Sequence, residues 1–163
     1  MSGSAAYWHV IFAVLALVFG IGIFTTRRGT PGHRRLGYCY VVSMGVTNAG
    51  ALSLYARTGQ FGPFHVAALI SLATLVAGAV PAILRRPRGA WLAVHWEFMS
   101  WSFVGLLAAA IAEASFRIPG VAYWPSIVAG TILVFLGGGV WIYSSRGAMR
   151  RFITARSEMT REP

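Results

Sequence analysis

The chain has 163 residues, of which 56% are hydrophobic and only 11% charged. An ordinary soluble domain is nearer a quarter charged, so this composition excludes a soluble enzyme domain, a disordered tail and a secreted disulfide module. A single cysteine, Cys39, can form no intrachain disulfide, and the net charge of +10 comes from 14 Arg against 4 Glu, with no Lys and no Asp.

What remains is one integral membrane unit, and its elements follow in chain order. A membrane helix needs roughly 20 mostly apolar residues to cross about 30 Å of hydrocarbon. The first such stretch runs from Ala5 to Phe24. Nothing before it is positively charged and its apolar run exceeds a signal-peptide core, so it is expected to stay in the mature protein. After the basic loop RRGTPGHRR comes the second stretch, Leu36 to Tyr55. RTGQFGP leads into the third, Phe64 to Leu84, where Pro81 near the end predicts a kink. RRPRG leads into the fourth, Trp91 to Ala114, which carries Glu97. FRIPG precedes the fifth, Trp124 to Tyr143, with Pro125 in its first turn, where a missing N–H is harmless. Gly, Pro and Arg are the expected punctuation between such segments. No alternating period-2 pattern bounded by turns indicates a membrane β-barrel.

The predicted fold is therefore an all-α integral membrane protein of five transmembrane helices in an antiparallel bundle. Residues 1–145 form the transmembrane domain and 146–163 a basic tail, read as a surface helix or a disordered segment. Five crossings put Arg27, Arg28, Arg34, Arg35, Arg85, Arg86, Arg88, Arg146, Arg150, Arg151, Arg156 and Arg161 on one side, and leave Arg57 and Arg117 on the other. The positive-inside rule then places the N-terminus outside and the C-terminus in the cytoplasm of a cell whose inner (plasma) membrane holds the chain. Tyr7, Trp8, Tyr55, Tyr123 and Trp124 form an outer aromatic belt, and Tyr38, Trp91, Trp141 and Tyr143 an inner one. The cytoplasmic arginines face anionic lipid head groups. They form no separate basic stripe, so nucleic acid is not an expected partner.

Each of the four histidines lies at the start of a hydrophobic segment: His9, His33, His65 and His95. Because successive helices alternate direction, His9 and His65 fall near the outer face, and His33 and His95 near the inner one. Two bis-histidine haems, one per leaflet, need that layout: a low-spin haem b takes one imidazole above and one below the iron. Ionisable residues inside a membrane are rare and point to function. Small residues follow the histidines at helical spacing, as in His9, Ala13, Ala16 and Gly20, and in His95, Met99, Ser102, Gly105, Ala109 and Glu113. On the second helix the stripe is His33, Gly37, Tyr40, Met44 and Ala51. Such stripes also serve plain helix packing, and His33, flanked by Arg34 and Arg35, also fits a solvated loop.

Two other readings stand beside haem. His9, His65 and Glu113 share the outer level and form a candidate zinc or iron ligand set, although Glu113 can equally pair with Arg117 one turn on. The third reading is a cofactor-free structural or assembly subunit. At the inner end, Glu97 has Arg85, Arg86 and Arg88 as candidate partners. No nucleophile triad, Walker loop, dinucleotide fingerprint or CxxC is present, and Cys39 reads as a packing residue. The sequence names no redox partner or quinone. Gly20, Gly22 and Gly137 to Gly139 offer close-approach surfaces for a homo-oligomer.

HRRLGYCYVV after the first basic loop, and HWEFMSWSFVGLLAAAIAE followed by FRIP, resemble an uncharacterised family of predicted bacterial membrane proteins. The resemblance runs from Trp8 to Pro119 and implies fold and location rather than a mechanism. The commoner family form starts the fourth helix with an HRRWM-like stretch. Here His95 and Met99 are kept, with Trp96, Glu97 and Phe98 between them. The histidine layout is also similar to di-haem transmembrane cytochromes b of the ascorbate-reducing type. That likeness implies His9 paired with His65, and His33 with His95. The chain departs from it in depth, since His33 stands directly beside two arginines.

Overall fold

The computed structural model describes residues 4–58, 61–116, 119–120 and 122–159. The described residues form five helices: α1 (Ser4–Thr25), α2 (Pro31–Thr58), α3 (Pro63–Leu84), α4 (Trp91–Phe116) and α5 (Tyr123–Met159). Contacts divide the chain into two units, Met1–Val76 and Ala77–Pro163, with the boundary inside α3. Four helices are long and apolar enough to cross a membrane: α1, α3, α4 and α5.

In the first unit α1 packs on α2. α1 exposes Val10, Val14, Val18 and Ile21, while Ala16 and Gly20 are buried. Large apolar groups facing outward and small ones facing inward suit a helix whose surroundings are lipid. The start of α1 meets the far part of α2, where a Cβ on Gly50 would lie 3.1 Å from His9 Cβ. Near the end of α1, a Cβ on Gly22 would lie 3.4 Å from the Leu36 side chain, close to the start of α2.

α2 starts earlier than its apolar run suggests. Gly29 takes a positive φ of 80° in the turn, and the Thr30 hydroxyl then accepts the His33 N–H at 3.2 Å. Thr30 is thus the N-cap and Pro31 the first helical residue, which adds His33, Arg34 and Arg35 to the helix. The face of α2 that turns inward is Tyr40, Ser43, Met44, Thr47 and Asn48, all at most 7% exposed. Tyr38, Cys39 and Val42 point outward instead. Cys39 is therefore an exposed thiol rather than a packing residue. The first part of α3 joins this unit through Ser71, whose hydroxyl accepts from Asn48 Nδ2 at 3.2 Å.

In the second unit α4 packs on α5. Contact is closest at Gly138, where a Cβ would stand 2.5 Å from Val104 Cγ2. Trp101 stacks on Phe135 with ring centroids 6.2 Å apart, and Ile142 and Met149 are buried on the inner face of α5. The end of α3, which contains Pro81, meets α4 at Gly78. A Cβ there would lie 2.8 Å from Met99 Sδ and 3.0 Å from Met99 N. Between α3 and α4 the chain turns with Arg85 and Gly89 at positive φ, and the Pro87 carbonyl accepts the Ala90 and Trp91 N–H groups.

Past Tyr143, where the apolar run ends, α5 continues through Arg146, Arg150 and Arg151 to Met159. The segment expected as a surface helix or a disordered tail forms the last part of a 37-residue helix. Nothing separates the two parts, because SSRGAMRRFITARSEM has no proline and only one glycine, Gly147.

Candidate functional site

The four histidines fall into two structural kinds. His9 and His95 lie within α1 and α4 and reach the main chain of a neighbouring helix. His9 Nδ1 bonds the Thr47 carbonyl at 2.9 Å, and His95 Nδ1 bonds the Gly78 carbonyl at 2.8 Å. A carbonyl oxygen only accepts, so Nδ1 carries the proton in both rings. A neutral imidazole then keeps its lone pair on Nε2. That is the tautomer of a metal-ligating histidine, whose other nitrogen is usually held by a carbonyl or carboxylate. Beside His95, the Trp96 Nε1 atom is buried and has no hydrogen-bond partner among the described residues.

His33 and His65 are helix-start residues. Each is the third residue of its helix, after Thr30-Pro31-Gly32 and Gly62-Pro63-Phe64 respectively. The His65 ring accepts the Gly62 N–H at Nδ1, 3.0 Å away, and the His65 N–H donates to the Gly62 carbonyl at 3.0 Å. The ring thus supplies the return half of a capping box, with imidazole in the place usually taken by Glu or Gln, while the other half is a main-chain bond because Gly62 has no side chain. A neutral His65 in this state has its proton on Nε2, the opposite tautomer to His9. The shared P-x-H signal at both helix starts was present in the sequence, hidden by the more obvious apolar runs.

His9 and His65 both belong to the first unit, whereas His33 and His95 lie one in each unit. Glu113 is on an exposed part of α4, and Arg117 lies outside the described residues. Among the described residues no group of three His, Cys, Asp or Glu stands close enough to hold a metal ion.

Glu97 is placed differently from expectation. It receives Arg146 Nη2 at 2.6 Å and Trp101 Nε1 at 3.2 Å, and Arg85, Arg86 and Arg88 are not its partners among the described residues. The correction follows from helix geometry. Glu97 stands nearly two turns into α4, roughly 9 Å beyond Trp91 at 1.5 Å per residue. That lifts it away from the α3–α4 turn. The helical extension of α5, packed on α4, brings Arg146 to it. Arg146 also lies over the Tyr143 ring, 5.9 Å from its centroid.

The remaining arginines among the described residues, Arg27, Arg28, Arg34, Arg35, Arg85, Arg86, Arg88, Arg150 and Arg151, have exposed side chains. So do Tyr7, Trp8, Tyr38, Trp124, Trp141 and Tyr143 of the two aromatic belts. The side chains of Tyr55, Arg57, Tyr123, Arg156 and Arg161 lie outside the described residues.

No match was found among curated proteins or solved structures. The family of predicted membrane proteins designated DUF2306 matches residues 6–144, from the first turn of α1 to the middle of α5. That span takes in every apolar segment and all four histidines, and the chain belongs to this family of predicted membrane proteins.

Proposed function

We propose that the chain is a multi-pass protein of the bacterial inner membrane that crosses the bilayer five times, with its N-terminus outside and its C-terminus in the cytoplasm, and that it binds b-type haem and carries electrons. The observation that carries the haem reading is the His9 ring, whose Nδ1–H is tied to the Thr47 carbonyl of α2, leaving Nε2 as a fixed lone pair. The same state recurs at His95, next to the orphaned Trp96 donor. Haem bound between two imidazole nitrogens would supply a one-electron carrier.

The outer pair is His9 with His65, both in the first unit. His9 is already in the ligating tautomer. His65 has to give up the Gly62 N–H and move its proton from Nε2 to Nδ1 before Nε2 can ligate. The helix start then loses one side-chain acceptor, and the Gly62 N–H turns to water or a head group at the membrane edge. Thr47 and Gly50 hold His9 from the α2 side: the Thr47 carbonyl accepts a hydrogen bond from Nδ1–H, and Gly50 lets the ring approach the backbone.

Antiparallel crossing is supported by the contacts that join the start of α1 to the far part of α2 and its end to Leu36. α2 has the polar residues that lower its hydropathy, but Ser43, Thr47 and Asn48 are buried, so the surface left for lipid is apolar. The exposed arginines at one set of helix ends support the orientation.

The direct test is optical. Protein purified from haem-replete cells and reduced with dithionite is expected to show a split, low-spin b-type spectrum, and His65→Ala is expected to remove the outer haem. A colourless preparation holding stoichiometric zinc or iron would replace the proposal with metal binding. A colourless, metal-free one would leave a structural or assembly subunit.

A further inference from the structure

The extended part of α5 carries a feature that the histidines do not use. Tyr143, Arg146, Gly147 and Arg150 line a shallow cleft of about 290 Å³ on one face of the helix. Nothing lies within 4 Å of where a Cβ on Gly147 would stand, so the floor between the two arginines is open. Ile142 and Met149 are buried, at 1% and 3% exposed, whereas Tyr143 is 74% exposed. Arg146, one turn from both buried residues, bonds Glu97 of α4, so the cleft occupies the flank of α5 beside its packed face.

Depth along the helix gives the cleft a chemical setting. From Trp124 to Tyr143 the helix rises about 28 Å at 1.5 Å per residue. That matches a hydrocarbon core of about 30 Å bounded by an interfacial aromatic at each end. Arg146 and Arg150 then fall one and two turns past the hydrocarbon edge, at the level of lipid phosphates. Arg146 is already oriented by Glu97 and by the Tyr143 ring, while Arg150 has no carboxylate partner among the described residues. Guanidinium groups one turn apart on one face form a two-pronged donor set suited to phosphate oxygens, with a tyrosine at its lower edge to pack on the glycerol or acyl region.

We infer that the Tyr143–Arg146–Arg150 face of α5 is a binding site for a negatively charged phosphate group, carried by an anionic phospholipid or by free inorganic phosphate. The site rests on the membrane crossing of α5 and not on haem, so a colourless protein leaves it standing.

Native mass spectrometry of the detergent-purified full chain tests it, with phosphatidylglycerol and phosphatidylcholine as probes and inorganic phosphate as competitor. Phosphatidylglycerol is expected to be retained over phosphatidylcholine. Arg150→Gln leaves the Arg146–Glu97 pair untouched and is expected to weaken retention about five-fold, the weight of one arginine at an anionic surface. Arg27→Gln, in the turn between α1 and α2, is expected to leave it unchanged. Displacement by excess inorganic phosphate would assign free phosphate to the same site, and persistence of the lipid would assign the head group. Equal retention of the two lipids, or retention by Arg150→Gln equal to that of the parent, would overturn the site.

Discussion

At the scale of single residues, the closest approaches in the second unit are made through glycine. Gly78 faces both the Met99 side chain and its backbone nitrogen, and the backbone cannot withdraw as a side chain can. Gly78→Val is therefore expected to destabilise the protein by about 1–3 kcal/mol, the usual range for overpacking. Gly105→Ala, with nothing within 4 Å, is expected to hold or raise the melting temperature in the same detergent. Thermal unfolding of the two variants side by side checks this, and equal loss in both would contradict the packing described. A second pair of variants separates the two tasks assigned to His65. Gln can accept the Gly62 N–H as the imidazole does. Compared in the haem-free state, His65→Gln should thus keep the melting temperature near that of the parent, whereas His65→Ala should lose about 1 kcal/mol of cap stability. Neither variant should hold the outer haem. That the histidines open apolar segments was legible in the sequence. That His9 and His95 clamp a neighbouring helix, that His65 caps its own helix and that the His33 N–H is capped by Thr30 was not, because the clamps depend on which carbonyl a neighbouring helix brings near.

Among the elements, α2 and α5 test the fold most directly. Among the described residues α2 is the helix whose hydropathy falls short of a membrane span, yet its Ser43, Thr47 and Asn48 are buried, with Asn48 bonded to Ser71. A hydropathy average cannot register this, since it counts Asn48 as if lipid met it. Reporter fusions placed after Gly29 and after Gly59 are expected to read opposite sides of the membrane. The same side for both would remove α2 from the spans. The apolar runs gave all five helices their approximate places, but not their ends. The start of α2 was misplaced because the Thr30–Pro31 cap weighs less in a hydropathy reading than HRR does. The end of α5 was left open between a surface helix and a disordered tail, because hydropathy does not tell where a basic segment stops being helical. The partner of Glu97 was missed for the same reason, since Arg146 reaches it only from that extension. Glu97→Gln is accordingly expected to change thermal stability little at high salt and more at low salt, because the pair is partly solvent-exposed.

At the scale of the whole molecule, the chain is a member of the DUF2306 family of predicted membrane proteins, with four helices fit to span and a fifth whose polar face is buried. Each unit contains one histidine locked to a neighbouring helix through Nδ1: His9 in the first and His95 in the second. Packing alone does not require an imidazole at either place, since other donors can bond a carbonyl, whereas a fixed Nε2 lone pair is what an axial ligand must present. The measurement that bears most directly on this account is the absorbance spectrum of the purified protein from haem-replete cells, before and after dithionite, for the parent chain and for His9→Ala. The account predicts a reduced low-spin b-type spectrum in the parent that is diminished in the variant. A parent protein with no Soret absorbance, or a variant with the parent's spectrum, would contradict it.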